Sequence, residues 1–203
     1  MLLKQYAELV VRLGVNVQRG QPVVIRCPVE DFAFASQVVQ AEAKKFFIER
    51  FRMAKWKRTG ILWWNLIDGW PQFSDAIVDY YFNKKLAYEV IKNCQQDVCV
   101  MLGEPDAWHQ DVVFVNDTRT DKRINCEITD VEQGEVVFSG SFTAKADASV
   151  VVGKIPYMRN KQRLFVMRWT GDASGANHYL AGQPPFLLAD YRKLLAASGL
   201  YRV

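Results

Sequence analysis

Histidine and cysteine are scarce in this chain, whose 203 residues include two histidines and four cysteines. The cysteines form no C-x-x-C pair, and His109 and His178 lie far apart in the sequence. Because residues with zinc-ligand spacing are missing, we expect neither a metal site nor a bound cofactor. A set of reduced thiols is the simplest interpretation, and it favours a cytoplasmic protein.

Long apolar runs and clusters of like charge are missing as well. No stretch approaches the roughly 18 apolar residues that span a bilayer, and residues 1–6 do not resemble a secretory leader. We therefore expect no membrane partner. The net charge is +4 and the isoelectric point about 8.8, but Lys and Arg are interspersed with acidic residues. Without a basic stripe, we expect no nucleic-acid partner.

Aromatic residues, by contrast, are abundant. They make up 13% of the chain and include six tryptophans, while the 50% hydrophobic and 24% charged residues are typical of a folded globular protein. Trp and Tyr are favoured where a protein holds a flat ligand such as a sugar ring. The composition therefore directs attention to the aromatic segments.

The first half of the sequence has the pattern of a small α/β unit. Helices are predicted up to Gly14, over residues 31–55 and over residues 84–93 from apolar residues at helical spacing. Buried strands are predicted from short apolar runs at residues 22–25 and 61–65. Strand, long helix, strand is the order of a parallel crossover unit, which is right-handed almost without exception.

Near Gln95 the pattern changes to short strands separated by turns, which is typical of an antiparallel sandwich of about 100 residues. The predicted class is therefore α+β, with a small α/β unit over residues 1–94 and an immunoglobulin-like β-sandwich over residues 95–203. The elements predicted in the second part are strands at 98–102, 112–116, 123–129, 135–142 and 163–170 and a terminal helix at 187–197.

A loop rich in aromatic and polar residues follows the predicted strand at 61–65. Ligands of α/β folds bind at the carboxyl ends of parallel strands. Trp64 can stack on a pyranose ring, and Asn65 and Asp68 can form hydrogen bonds to its hydroxyls. In the alternative interpretation, which composition alone favours, Trp63 and Trp70 pack between strand and helix and Asp68 ties the loop.

No group of residues has the spacing of a catalytic site. Asp68, Asp75 and Asp79 follow one predicted strand, but barrel glycosidases take their two carboxyl groups from different strands, so we expect these three to cap the loop. No serine lies in a G-x-S-x-G motif, and residues 171–175 form a turn instead of a phosphate loop. His178 is expected to be a structural imidazole near the edge of the sandwich.

Two parts of the sequence are distinctive enough to suggest a family. The first has the sequence RTGILWWNLIDGWP at residues 58–71 and continues through 74–81 and 84–88. The second comprises residues 108–110, 115–118, 134–137 and 177–186. They resemble the last strand and helix of the catalytic barrel, and the immunoglobulin-like domain, of the β-mannosidase-like members of glycoside hydrolase family two. The resemblance extends from about Gln40 to Val203.

This resemblance implies a barrel-derived unit over residues 41–94, from an enzyme that cleaves terminal β-linked sugars with two barrel glutamates. Those glutamates belong to earlier strands without a counterpart in this sequence, so no catalytic residue is implied here. The implied substrate-binding residues form the rim of the sugar pocket: Trp64 as a stacking wall, with Asn65, Asp68 and Trp70 supporting it.

Residues 6–25 resemble another family, the thermophilic metalloaminopeptidases, at their N-terminus. The metal-binding Glu, His and Asp residues of that family lie in a later domain without a counterpart here, so no metal ligand is implied. The chain therefore looks like a chimera with a head over residues 1–40. The join falls inside the predicted helix at 31–55, whose amphipathic stripe continues across it.

The leading hypothesis is the C-terminal portion of a β-mannosidase-like glycoside hydrolase of carbohydrate metabolism, inactive alone because both glutamates are missing. Its partner is then a carbohydrate, bound weakly or not at all. The alternatives are an interaction or structural β-sandwich module and an aminopeptidase-derived fragment. Exposed strand edges in such a small unit also predict self-association.

Overall fold

The computed structural model describes residues 32–72, 74–157, 162–182 and 186–201. The predicted helix that ends at Gly14 and the predicted strand at residues 22–25 lie outside these ranges. Within them, the chain forms three α-helices and seven β-strands.

The helices begin and end within two residues of the sequence prediction. Helix α1 spans Phe32–Met53, α2 spans Leu86–Cys94 and α3 spans Leu188–Ser198. Helix α3 stops because Gly199 adopts the left-handed conformation, with φ of 66°, which favours glycine. None of these three helices is long and apolar enough to cross a membrane.

All seven strands pair antiparallel and form two sheets, which confirms the predicted α+β class and the β-sandwich. One sheet has the order β1-β2-β5 and the other β4-β3-β6-β7. The strands are β1 Val98–Leu102, β2 His109–Asn116, β3 Lys122–Asp130, β4 Glu135–Ala144, β5 Ala148–Pro156, β6 Arg163–Gly171 and β7 Gly175–Ala181. Alternate residues of β3 point into the core, as expected of a strand with one covered face.

Strands β5 and β7 were not predicted from the sequence. Strand β7 consists largely of poor strand formers, among them Gly175, Ala176 and Asn177. It is held by a complete antiparallel register against β6 instead. Strand β5 includes Gly153, whose missing side chain leaves room for the Phe138 ring on the neighbouring sheet. Tertiary packing outweighs local propensity in both strands.

The prediction of a buried strand at residues 61–65 was wrong. These residues are irregular in the structure, and the pairing nearby consists of isolated bridges, among them a parallel one between Ile67 and Val78. A buried parallel strand needs neighbours on both sides and cover on both faces. Among the described residues no strand lies beside 61–65, so the apolar sequence forms an extended loop.

Charged side chains fix α1 on the sandwich. Lys45 and Glu49, both buried, form an ion pair at 2.6 Å, and the Asn177 side chain of β7 donates to Glu49 at 2.6 Å. Burial acts to lower the pKa of Lys45, but the carboxylates of Glu49 and Glu42 outweigh it and raise the pKa. We call Glu42, Lys45, Glu49, Asn177 and His178 the polar interface.

His178 is fully buried on β7, an edge strand of its sheet. Its Nε2 lies 2.8 Å from a Glu42 carboxylate oxygen, and its Nδ1 lies 2.7 Å from the Tyr201 hydroxyl. The Tyr191 hydroxyl of α3 donates to the same Glu42 oxygen at 2.6 Å. His178 is thus a structural imidazole that connects α1, the sheet and the C-terminal segment, as expected.

These contacts make the fold sensitive to acid. Burial acts to raise the pKa of Glu42, but the charge and hydrogen bond of His178, then Lys45 and Tyr191, outweigh it and lower the pKa from 4.5 to about 2. A carboxyl whose pKa is depressed by folding stabilises the protein above its unfolded pKa. That stabilisation is lost as the pH falls through the window from 4.5 to about 2.

We therefore expect Glu42→Gln to reduce the free energy of unfolding by about 2–3 kcal/mol at neutral pH. The gap between wild type and variant should narrow as the pH falls from 4.5 to about 2. Urea unfolding at a series of pH values measures this difference. Glu135→Gln, at an exposed carboxylate of β4, is the matched control and should show no such gap. A pH-independent gap for Glu42→Gln would contradict the linkage.

Candidate functional site

The candidate site is the loop between α1 and α2, whose two limbs are joined by backbone hydrogen bonds. The Asp68 amide donates to the Val78 carbonyl at 3.1 Å, and the Val78 amide donates to the Leu66 carbonyl at 3.0 Å. These bonds join the two limbs of the loop, although the limbs are not strands.

Side chains of helix α1 hold the loop through hydrogen bonds to its backbone carbonyls. The Gln40 side chain donates to the Ala76 carbonyl at 3.1 Å, and Lys44 Nζ donates to the Trp64 carbonyl at 3.1 Å. The same ammonium lies 4.6 Å from the centre of the Trp63 ring, a cation–π contact. Burial lowers the pKa of Lys44; nearby Asp75 opposes this shift, and Lys85 adds to it.

Asp68 is buried and ties the loop together. One carboxylate oxygen accepts hydrogen bonds from the Ser74 hydroxyl and from Gln72 at 3.2 Å. The other lies 3.5 Å from Lys85 Nζ, which also donates to the Ser74 carbonyl. Both carboxylate oxygens thus have hydrogen-bond or ion-pair partners inside the protein. The buried Asp68 side chain therefore holds the parts of the loop together.

Trp64 and Trp70 lie on the outside of this loop, with 75% and 64% of their surface exposed. Trp63 instead packs against the small apolar core formed with α1 and α2. The Asn65 carbonyl accepts from the Ile77 amide at 3.3 Å. The Asn65 side-chain oxygen is buried and has no hydrogen-bond partner among the described residues.

The four residues predicted to form the rim of the sugar pocket thus differ in accessibility. Trp64 and Trp70 are accessible, whereas Asp68 and the Asn65 side-chain oxygen are enclosed. The structure combines the two interpretations that the sequence left open: Trp63 packs and Asp68 ties the loop, while Trp64 and Trp70 remain exposed. Sequence position alone does not separate neighbouring tryptophans, because the extended backbone turns Trp63 and Trp64 in different directions.

The sequence analysis missed a second set of exposed aromatic residues, Tyr80, Tyr81 and Phe82. With Ile67 and Asp68 they line a shallow depression of about 510 Å³. They lie in a turn that Asp79 caps: its carboxylate accepts from the side chain and the backbone amide of Asn83, and these bonds lower the pKa of Asp79. The sequence signal was the aspartate with an asparagine four residues later.

Two of the three loop carboxylates have structural partners. Asp68 and Asp79 each have both oxygens engaged in hydrogen bonds or an ion pair within the loop, whereas Asp75 is exposed. A retaining glycosidase needs an acid and a nucleophile about 5–5.5 Å apart. Within the described ranges, no group of three or more His, Cys, Asp or Glu could hold a metal ion.

Comparison with known proteins supports two separate similarities. Residues 1–55 match the family described as thermophilic metalloprotease (M29). The chain is 29% identical over 144 residues to β-mannosidase B of Thermothelomyces thermophilus, which covers 58% of this chain and 16% of that protein. It is 37% identical over 75 residues to β-mannosidase B of Aspergillus niger, covering 35% and 9%.

Solved structures give the same result. The β-D-mannosidase of Dictyoglomus thermophilum superposes with a TM-score of 0.65 and 25% identity, over 78% of this chain and 20% of that one. The exo-chitosanase CsxA of Amycolatopsis orientalis superposes with a TM-score of 0.63 and 16% identity, over 88% and 21%. The second likeness concerns the fold alone.

These comparisons confirm the resemblance to the β-mannosidases of glycoside hydrolase family two. The chain is β-mannosidase-like over a limited part of such an enzyme: it spans about a sixth of the first relative and less than a tenth of the second. The interaction-module and aminopeptidase alternatives are not favoured. The metalloprotease match extends through all of α1, the helix that supports the loop and contacts the sandwich.

We expect Asp68→Asn to loosen the loop and to reduce the free energy of unfolding by about 1–3 kcal/mol, because Lys85 loses its buried counter-charge. Hydrogen exchange of the Asp68 and Val78 amides, which join the limbs, should become faster. Asp75→Asn changes an exposed carboxylate of the same loop and should stay within about 0.5 kcal/mol of wild type. Equal effects of the two variants would show that Asp68 does not tie the loop.

Proposed function

We propose that this chain is a β-mannosidase-like module that binds mannoside-like sugars weakly through its aromatic loop and does not hydrolyse them alone. The observation that carries this proposal is the exposure of Trp64 and Trp70 on a loop whose backbone is held by α1 and by buried Asp68. The β-mannosidase similarity of the chain supplies the class of sugar.

Preorganisation of the loop favours sugar binding. An exposed indole ring presents a flat apolar face that complements the apolar face of a pyranose. A mobile loop would lose entropy on binding, whereas this loop is already fixed by hydrogen bonds between Asp68, Val78 and Leu66. The indoles supply contact area, and Asp68 acts as a positioning residue beneath them.

We expect no hydrolysis because of the surroundings of the loop carboxylates. Retaining hydrolysis needs one carboxyl group to donate a proton to the leaving oxygen and a second to attack the sugar. Asp68 is enclosed and paired with Lys85, and Asp79 is engaged by Asn83. Asp75 is exposed, but neither Asp68 nor Asp79 is free to act as the second carboxyl group of a catalytic pair. The two glutamates implied by the resemblance have no counterpart in the sequence.

We also propose a cytoplasmic location. Cys94, Cys99 and Cys126 are buried and unpaired. Burial raises the pKa of the Cys94 thiol, and it raises the pKa values of Cys99 and Cys126 to about 12. Protonated, enclosed thiols of this kind suit a reducing compartment.

Binding of methyl β-mannoside, followed by NMR titration, tests the proposed sugar site. We expect chemical-shift changes at the indole signals of Trp64 and Trp70. Replacing either residue by alanine should weaken binding about 2- to 10-fold, the effect of losing one stacking contact. Trp108→Ala changes an exposed tryptophan outside the loop and serves as the control. A uniform response of all three variants, or no response of the wild type, would contradict the site.

Incubation with an aryl β-mannoside tests the absence of hydrolysis separately. No release of the aryl group is expected from the wild type. Turnover that disappears in Asp75→Asn or Asp68→Asn would show that the chain has a catalytic carboxylate after all. Turnover that neither variant affects would point to a contaminating glycosidase, and purification to constant specific activity distinguishes that case.

A further inference from the structure

We propose that Asn116 is an acceptor for N-linked glycosylation that folding closes. An oligosaccharide can be attached to Asn116 only before the chain folds, and a chain that carries one does not reach the fold described above. This inference does not depend on the sugar-binding loop. It bears on the proposed cytoplasmic location without resting on it, because it names a reaction that prevents this chain from folding.

The motif that carries the inference is Asn116-Asp117-Thr118. An asparagine followed by any residue except proline, and then by Ser or Thr, is the acceptor sequence for N-linked glycosylation. No other asparagine in the chain has Ser or Thr two residues later. Such a motif is typical of a surface loop in a secreted protein. Use of this motif in the folded protein therefore requires an accessible Asn116 side chain.

The structure places Asn116 inside the fold instead. It is the last residue of β2, the central strand of its sheet, and it is fully buried. It lies opposite Val98 of β1 on one side and opposite Ala148 of β5 on the other. Unlike exposure, burial is not lost when further chain packs against a protein, because any such segment covers Asn116 more.

The side chain of Asn116 has its hydrogen-bonding atoms engaged. Nδ2 donates to the backbone carbonyls of Thr120 and Lys145, each at 2.9 Å, and lies 3.3 Å from that of Ala144. Oδ1 accepts from the Thr118 amide at 3.0 Å and from the Thr118 hydroxyl at 2.7 Å. Asn116 thus ties the end of β2 to the segment before β3 and to the turn between β4 and β5.

Glycosylation is incompatible with these contacts. In the transfer, Asn116 Nδ2 bonds to C1 of the first sugar of a lipid-diphosphate oligosaccharide, the bond from C1 to the diphosphate oxygen breaks, and one amide hydrogen leaves as a proton. One hydrogen then remains on Nδ2, so the carbonyl of either Thr120 or Lys145 loses its donor. The same carbonyls occupy the space beside Nδ2, and a close-packed interior has no room for a sugar ring there.

The order of the chain leaves Asn116 open during synthesis. Its side chain contacts the carbonyls of Ala144 and Lys145, and β5 covers one side of β2. All of these residues follow Asn116 by 28 or more positions. Since the chain is made from its N-terminus, Asn116 emerges before its cover exists. A compartment that glycosylates emerging chains therefore meets an open acceptor.

Transfer to the purified protein tests the closed state. The folded full chain and a synthetic peptide of residues 112–122 are incubated with an oligosaccharyltransferase and its lipid-linked donor, and mass spectrometry measures the glycosylated fraction. We expect the peptide to be modified and the folded chain to react at least about 10-fold more slowly, because only its open fraction can react. A folded chain that reacts within that factor of the peptide, or a peptide that is not modified, would overturn the proposal.

Directing the full chain into the secretory pathway of yeast with an added leader tests the second part. Thr118→Val removes the motif, whereas Thr118→Ser keeps it and is the matched control. We expect wild type and Thr118→Ser to be glycosylated and then aggregated or degraded, and Thr118→Val to be secreted in folded form. Glycosylated wild type with the urea midpoint of protein from bacterial cytoplasm would contradict the exclusion. Folded wild type without a glycan would contradict the acceptor role.

The Thr118 side chain itself contacts Asn116, so Thr118→Val is first purified from bacterial cytoplasm, where circular dichroism and a urea midpoint establish whether it folds. If it does not, wild type in a yeast strain with a reduced supply of the oligosaccharide donor takes its place. The folded fraction should then rise as the glycosylated fraction falls. A folded fraction that does not follow glycosylation would refute the proposal.

Discussion

The buried ion pair between Lys45 and Glu49, together with the contact of Glu42 with His178, is the constraint on which the rest of the structure depends. Taking such charges out of water costs several kcal/mol per ion unless each finds a partner. Asn177 completes the set by bonding to Glu49. Few placements of α1 on the sandwich satisfy all these groups together, so the polar interface selects one.

The position of the loop follows from the position of α1. Glu42, Lys45 and Glu49 face the sandwich, while Gln40 and Lys44 of the same helix hold the loop. One helix therefore connects the sandwich to the exposed tryptophans. It also lies within the part of the chain that matches the metalloprotease family. Gln40 and Lys44 thus connect the segment that matches one family to a loop that resembles the other.

The sequence predicted the helices and most strands well, because periodicity over ten or more residues is a strong signal. It did not predict β7, whose stability comes from its register on β6 and from Asn177. It placed a strand at residues 61–65 because apolar runs look alike whether neighbouring strands cover them or not. The separate orientations of Trp63 and Trp64, and the burial of Asp68, depend on contacts with Lys44 and Lys85 that are distant in sequence.

The loop is held on the side of α1, while its outer side is exposed. Backbone hydrogen bonds from the Asp68, Ile77 and Val78 amides join its two limbs. The apolar side chains of Trp64, Trp70 and Phe82 remain in water, where covering each would contribute on the order of 1.5–3 kcal/mol. The proposed sugar site would use this exposure, because a pyranose stacked on Trp64 would cover part of that apolar surface.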